Sequence, residues 1–173
     1  KSVPEKLNKN IESSCLKTID IPVRKVHNIS YDEINFYSRT IADRLKEEGI
    51  THVIGLARGG LIPATIISYE LDVPLLSYAI SSYKDTTKTD EFKINQFVHF
   101  SDLKSLKEAD PHVLVVDDIC DTGDTMHYIW NKITLAGISS KLATLFTKKK
   151  HKEWLHHYGL VIPDDKWIVF PWE

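Results

Sequence analysis

Short apolar runs alternate with longer amphipathic stretches along most of this chain. The capping-box pair Ser30 and Glu33 precedes apolar residues at helical spacing, which predicts a helix that ends near Gly49. Helical spacing recurs over residues 61–71, about 124–135 and 152–158. Short apolar runs predict strands at residues 51–57, 74–80, 94–100, 112–118, 141–147 and 167–170, with an edge strand within 19–28.

This alternation predicts an α/β fold with a central, mostly parallel sheet flanked by helices. Two polar segments depart from the pattern. Residues 1–18 show no sustained periodicity and are interpreted as part of an N-terminal arm. Residues 81–95 form a long polar loop, and loops of that length in compact domains are usually functional or disordered. Because ligands bind beyond the carboxyl ends of parallel strands, the motifs at those ends carry most information about function.

Composition narrows the class of protein. The chain has 173 residues, of which 42% are hydrophobic and 27% are charged, as in an ordinary globular domain. A net charge of −2 argues against nucleic-acid or membrane binding as the main activity. Two cysteines far apart do not suggest a disulfide framework. No apolar run approaches the roughly 20 residues that span a bilayer, and the N-terminus lacks a signal-peptide pattern, so we expect a cytoplasmic protein.

The strongest chemical signal follows the apolar run at residues 112–116. Asp117 and Asp118 end the predicted strand, and residues 122–125 (TGDT) then turn into a helix. A helix N-terminus offers free N–H groups to a phosphate, and its glycine lets the backbone approach closely. Adjacent carboxylates can accept hydrogen bonds from sugar hydroxyls or hold Mg²⁺. The alternative is a helix cap beside solvated acids, but the whole run between strand and helix favours function.

Two weaker motifs lie near other predicted strand ends. Residues 58–60 (RGG) follow the strand at 51–57, where glycines allow a tight turn and the arginine can clamp an anion. The alternative is an ordinary strand–helix turn with a surface arginine. The polar loop begins at residues 81–83 (SSY), after the strand at 74–80, and on its residues alone it can be a disordered insertion.

Together these residues resemble the 5-phosphoribosyl-1-pyrophosphate (PRPP) site of the type I phosphoribosyltransferases. The resemblance implies that Asp117 and Asp118 are the metal and ribose ligands, with Mg²⁺ as the cofactor. It implies that Asp121 is catalytic and faces N7 of a purine, as a general base or as a stabiliser of charge. The implied PRPP-binding residues are Arg58, Gly59, Asp117, Asp118, Thr122, Gly123, Asp124 and Thr125.

Two features of that family concern the backbone and the lid. The segment at residues 58–60 is similar to the family's pyrophosphate loop, which implies a non-proline cis peptide between Ala57 and Arg58. Ser82 and Tyr83 are similar to residues of the mobile loop that closes over PRPP.

The C-terminal third resembles the xanthine-guanine branch of the 6-oxopurine enzymes in ATLFTK (143–148) and DKWIVFPWE (165–173). This implies that Lys148 donates to the purine O6, that Trp167 stacks on the ring, and that the backbone of Ile168 reads the edge near C2. An aromatic face with one cationic donor suits a flat heterocycle that carries an exocyclic oxygen. The alternatives are a solvated basic patch over 148–152 and a core tryptophan.

The resemblance covers residues 29–173 as one domain with a small hood and leaves 1–28 as an arm. It implies the transfer of phosphoribose from PRPP to hypoxanthine, guanine or xanthine by a homodimer or homotetramer. One alternative is a phosphoribosyltransferase for another nucleobase. Another is a PRPP-sensing regulator that binds nucleic acid, but the net charge and the lack of a helix-turn-helix pattern count against it.

Overall fold

The structure, a computed structural model, describes residues 25–80 and 110–173. The strand expected at 94–100 lies outside these ranges. The elements in chain order are β1 (Lys25–Asn28), α1 (Tyr31–Leu45), β2 (His52–Ala57), α2 (Leu61–Leu71), β3 (Leu75–Ala79), β4 (His112–Cys120), α3 (Asp124–Leu135), β5 (Ser139–Lys148), β6 (His157–Ile162) and β7 (Lys166–Val169). A 3-10 turn at Lys149–His151 follows β5.

The main sheet has five strands in the order β3-β2-β4-β5-β6, and every pairing in it is parallel. This confirms the predicted α/β fold. The strand that carries the two adjacent acids, β4, lies at the centre of the sheet. Since the strands are parallel, the segments that leave β2, β4 and β5 meet along one side, which we call the carboxyl edge.

Local signals in the sequence explain the first helix. The Ser30 N–H donates to Glu33 Oε2 (2.9 Å), and the Glu33 N–H donates to Ser30 Oγ (3.2 Å). These reciprocal bonds confirm the capping box. The helix ends at Leu45, and the chain reverses at Gly49, whose φ is +65°. The other two helices cover the predicted ranges 61–71 and 124–135.

The core lies on both faces of the sheet. On one face, α1 and α2 bury Ile34, Ile41 and Ile67 against alternate residues of β4 and β5. On the other face, α3 buries an apolar stripe against the remaining residues of those strands. Gly159 in β6 lets α1 approach closely, because a Cβ at this position would lie 2.8 Å from Tyr37 Cβ.

A second, smaller sheet joins two segments that are far apart in the chain. β1 pairs with β7 in parallel, with Lys25 opposite Lys166 and Asn28 opposite Val169. β1 lies inside the segment where an edge strand was expected. This pair matches the hood that the family resemblance implied.

One predicted element is wrong. Residues 152–158 were expected to form a short helix, but the structure has only a turn there, after which β6 begins at His157. β6 pairs with β5 from Ala143–His157 to Lys148–Ile162. Pairing along the exposed edge of the sheet therefore overrides the helical spacing of the local sequence.

Candidate active site

The carboxyl edge collects polar groups from three neighbouring strands. The loop at residues 58–60 follows β2, Asp117 and Asp118 lie near the end of β4, and Lys148 ends β5. The structure thus brings together motifs that are up to 90 residues apart in the sequence. Ser82 and Tyr83 lie outside the described residues.

Asp117 and Asp118 form a half-buried pair of carboxyls with raised pKa values. Burial raises the pKa of Asp117 well above its usual range, and the charge of Asp118 raises it further. Burial also raises the pKa of Asp118, with a smaller contribution from the charge of Glu173. The side chains accept hydrogen bonds from the next backbone N–H groups, Asp118 N to Asp117 Oδ1 at 3.0 Å and Ile119 N to Asp118 Oδ1 at 2.8 Å. Adjacent carboxylates that resist ionisation favour a cation or hydroxyl donors as partners.

The loop at residues 58–60 packs directly on this pair. The Ala57–Arg58 peptide is cis, as the family resemblance implied. A Cβ on Gly59 would overlap the Asp118 carboxylate, and a Cβ on Gly60 would lie 2.6 Å from the Val116 carbonyl oxygen. Both glycines are therefore required by close approach, and the neighbouring Arg58 is exposed.

The turn between β4 and α3 has the form expected of an anion-binding helix start. Gly123 has a φ of +88° and is the N-cap residue of α3, which begins at Asp124. Asp121, Thr122 and Asp124 are exposed there. The Asp124 N–H donates to Thr122 Oγ1 at 3.4 Å, so the acidic side chain of Asp124 is not needed to cap the helix. The free N–H groups of the first turn can then donate hydrogen bonds to an anion.

Lys148 is buried, and its ammonium group ties the end of β5 to the segment before β7. Its Nζ donates to the carbonyl oxygens of Pro163 (3.0 Å), Asp164 (3.3 Å) and Lys166 (2.6 Å). These three acceptors match the three N–H groups of the ammonium. Nζ also lies 3.9 Å from Asp121 Oδ1, so a cation and a carboxylate meet at the mouth of the site.

The two base-binding candidates in β7 differ in exposure. Trp167 is 44% exposed, whereas Ile168 is buried with 5% exposure. Trp167 thus presents much of its ring to solvent rather than filling the core. Lys148 holds the segment that leads into this strand, so the three candidates belong to one connected unit.

Two contributors were missed by the sequence analysis. The sequence analysis gave no role to His151, yet its Nε2 lies 2.9 Å from the carbonyl oxygen of Asp121. Glu173 influences Asp118 although 55 residues separate them in the chain. Neither contact has a local signal, because each depends on how distant segments meet at the carboxyl edge.

Within residues 25–80 and 110–173 no group of three or more metal-binding side chains comes together. A metal at this site would be held by the two aspartates and by oxygens from elsewhere, which is a normal arrangement for Mg²⁺. In the same ranges, no helix is both long enough and apolar enough to cross a membrane.

The fold and site define an α/β protein that gathers carboxylates, a cationic loop and a helix N-terminus at one edge of a parallel sheet. Residues 24–173 match the model of the phosphoribosyl transferase domain. The chain belongs to this family, and it is therefore an enzyme of the glycosyltransferase type.

Individual proteins agree with this assignment. The chain is 32% identical to a xanthine-guanine phosphoribosyltransferase of Idiomarina loihiensis over 84% of this chain and 85% of that protein. It is 30% identical to a xanthine-guanine phosphoribosyltransferase of Nitratidesulfovibrio vulgaris over 87% of this chain and 86% of that protein. The crystal structure of a purine phosphoribosyltransferase from Pyrococcus horikoshii has a TM-score of 0.66 and 30% identity, covering 86% of this chain and 94% of that one.

Proposed function

We propose that this enzyme joins a 6-oxopurine, namely hypoxanthine, guanine or xanthine, to PRPP, giving a nucleoside 5′-monophosphate and pyrophosphate in purine salvage. The observation that carries the proposal is the meeting of Lys148 and Asp121 at 3.9 Å beside the paired aspartates. A cation that donates and a carboxylate that accepts are the complements of O6 and of a protonated N7. The similarity to proteins named as purine and xanthine-guanine phosphoribosyltransferases supports the same substrate class.

The sugar and its phosphates lie on the β4 side of the site in this proposal. Asp117 and Asp118 accept hydrogen bonds from the ribose hydroxyls, and the N–H groups of residues 122–125 hold the 5′-phosphate. The donor set fits Mg²⁺, because a divalent cation would stabilise the ionised form of two carboxyls whose pKa values are raised mainly by burial and, for Asp117, also by the charge of Asp118. Asp117 and Asp118 would hold Mg²⁺ together with PRPP, and the ion would supply positive charge to the pyrophosphate as it leaves. Arg58 and the N–H groups of its loop hold that pyrophosphate.

The base lies on the β5 and β7 side. Trp167 stacks on the ring, the backbone of Ile168 reads the edge near C2, and Asp121 stabilises or removes the N7 proton as N9 bonds to the anomeric carbon. Lys148 donates to O6. Because its three N–H groups already have carbonyl acceptors, O6 takes the place of one of them when the base binds. The hydrogen-bond count of Lys148 is then the same before and after binding.

The family resemblance also supports proposals about the domain, the assembly and the location of the enzyme. Residues 29–173 act as one phosphoribosyltransferase domain. The enzyme works in the cytoplasm as a homodimer or homotetramer, without nucleic acid.

The experiment is to supply PRPP and Mg²⁺ with each nucleobase in turn and to monitor pyrophosphate release. We expect turnover of at least one 6-oxopurine and negligible turnover of adenine, whose 6-amino group would face another donor. A site built around a polar group can reject such an analogue by roughly 10⁴-fold, because buried donors are left unpaired. If adenine, orotate or uracil is the best substrate, the proposed base is wrong. If no base reacts and a nucleic acid binds with PRPP-dependent affinity, the regulator alternative is correct.

A variant pair on the same strand separates the base site from general stability. Lys148→Ala should lower kcat/KM for the 6-oxopurine by about 100-fold while changing PRPP affinity much less, since it removes a charged hydrogen bond worth about 1.5–3 kcal/mol. Lys141→Ala, at the other end of β5, is the matched control and should leave both constants unchanged. Unchanged activity of Lys148→Ala with the 6-oxopurine would contradict the role of this lysine.

A further inference from the structure

Three aromatic side chains lie beneath the turn that joins β4 to α3. His151 belongs to the 3-10 turn after β5, Trp154 follows it, and His127 lies on α3. The Trp154 ring stacks on His127 with 4.0 Å between centroids and 27° between planes, and it meets His151 edge-on at 5.7 Å. The segment after β5 is thereby attached to the turn after β4.

The hydrogen bonds of His151 fix its tautomer. The Trp154 indole N–H, which can only donate, lies 3.3 Å from His151 Nδ1. Nδ1 is therefore an acceptor and carries no proton. The proton resides on Nε2, which lies 2.9 Å from the carbonyl oxygen of Asp121 and donates to it. Trp154 thus sets the direction in which His151 donates.

The same two rings also pack against Gly123. A Cβ at this glycine would lie 2.9 Å from His151 Cε1 and 3.2 Å from Trp154 Cζ2. With its φ of +88°, Gly123 is held in a conformation that other residues rarely adopt, and the rings leave room only for a hydrogen atom. His151 therefore contacts the turn at two points, the Asp121 carbonyl and the Gly123 Cα.

We propose that His151 is a positioning residue for phosphoribosyl transfer. It holds the backbone of the turn so that the Asp121 side chain faces the base and the N–H groups of residues 122–125 converge on the 5′-phosphate. Because His151 is buried and lies three residues after Lys148, it also fixes the position of the base side of the site relative to the phosphate side. This inference rests on the proposed function of those two sides.

Three substitutions separate the two hydrogen bonds of His151 from its packing. His151→Gln places an amide N–H near the position of Nε2, so it keeps the donor to Asp121 and loses the acceptor for Trp154. His151→Asn places its amide near Nδ1, so it keeps the acceptor and loses the donor. His151→Leu fills the volume and removes both bonds. Thermal melts of all three variants establish that each is folded before kinetics are compared.

The test measures KM for PRPP, KM for the base, and kcat, together with hydrogen–deuterium exchange of the amides at residues 122–125. We expect Asn and Leu to raise KM for PRPP by about 10-fold or more, within the 10–100-fold range typical of residues that orient a ligand-binding group. Gln should stay within about threefold of wild type, since it retains the donor. Exchange at 122–125 should be faster in Asn and Leu and close to wild type in Gln.

Two results would overturn the proposal: wild-type KM and exchange in His151→Leu, or equal impairment of the Gln and Leu variants. Failure of the proposed function is distinguishable, because it would appear as an inactive wild type with every base. The exchange measurement needs no turnover, so it still decides whether His151 holds the turn in that case.

Discussion

The two ends of the main sheet differ in how their buried and half-buried carboxyl groups are paired. At the carboxyl edge, Asp117 and Asp118 lie side by side and both have raised pKa values. At the opposite end, which we call the amino edge, Glu48 accepts hydrogen bonds from Lys141 Nζ (2.5 Å) and His157 Nε2 (3.2 Å). Burial raises the pKa of Glu48, but the hydrogen bonds and positive charges of these partners lower it by more. At the amino edge Glu48 is matched by these partners, whereas at the carboxyl edge Lys148 lies near Asp121 but neither Asp117 nor Asp118 has an ion-pair partner among the described residues.

This difference indicates which edge contributes stability and which is reserved for ligands. Unpaired carboxylates cost folding free energy, and such groups persist where function requires them. Strand β5 shows the contrast within one element. Lys141 at its start pairs with a carboxylate, whereas Lys148 at its end donates to backbone carbonyls beside the exposed Asp121. Substitutions at the two ends should therefore divide into effects on stability and effects on activity.

The largest expected effect comes from Asp118→Asn. We expect kcat/KM to fall by about 100-fold or more through weaker PRPP binding, because a charged ligand of sugar and metal is lost. The variant should also melt at a higher temperature at neutral pH. A raised carboxyl pKa means that folding free energy is lost as the pH rises above the usual value of 3.8, and the amide does not ionise.

Calorimetric titration with PRPP and thermal melts check both parts of this expectation. Glu48→Gln is the matched control, since it makes the same chemical change at the amino edge and should leave PRPP affinity unaltered. Unchanged PRPP affinity in both Asp117→Asn and Asp118→Asn would remove these residues from the binding site.

The next largest effect is expected from a substitution of one glycine at each edge of the sheet. Gly59→Ala should lower kcat/KM by about 10–100-fold, because its Cβ would overlap the Asp118 carboxylate and displace a group that orients ligands. Gly49→Ala lies at the amino edge with open space around its Cβ, but its φ is +65°. It should cost about 1 kcal/mol of stability and no activity. Steady-state kinetics and urea denaturation of both variants measure these separate effects on activity and on stability. An inactive Gly49→Ala variant would contradict the expectation that the amino edge affects stability alone.

A third and smaller effect concerns the matched charges. Glu48→Gln should lower the free energy of unfolding by about 1 kcal/mol at neutral pH, the value of a well-placed ion pair. The lowered pKa of Glu48 means that this contribution is present above the usual value of 4.5 and is lost as the pH falls through the lower value in the folded protein. Denaturation at pH 7 and pH 4 should therefore show a smaller difference between variant and wild type at pH 4. An equal difference at both pH values would mean that the loss is not electrostatic.

The carboxyl edge was predictable from sequence because its parts are local motifs. The acids, the turn at Gly123 and the loop at residues 58–60 each carry their chemistry within a few residues, and parallel strands bring such motifs to one edge. The amino edge had no such signal, since Glu48 and Lys141 are 93 residues apart in the chain. His151 was missed for the same reason, and β6 was missed because pairing with β5 decided its structure.

The smallest expected effect is a pH dependence at the amino edge. Burial is the largest cause of the lowered pKa of His156 and of the lowered pKa of His157, where Glu48 acts in the opposite direction. His156 Nδ1 accepts the N–H of Leu142 at 3.1 Å, so this ring is bound in its neutral form. As the pH falls below the usual histidine value of 6.5, the unfolded chain gains protons before the folded protein does, and stability is lost.

Thermal melts at pH 7.5 and pH 5.5 measure this loss of stability. The His156→Asn variant shows how much of the loss comes from protonation of His156. The asparagine carbonyl can accept the Leu142 N–H near the position of Nδ1 but does not titrate. At pH 7.5 the variant should match wild type, whereas between pH 7.5 and pH 5.5 its melting temperature should fall less, by at most a few °C. The effect is small because His156, although buried enough for its pKa to be lowered, still contacts solvent that screens its charge. The same fall in both proteins would assign the pH dependence to His157 or to other groups, and the amino edge would then owe its stability to Glu48 and Lys141 without His156.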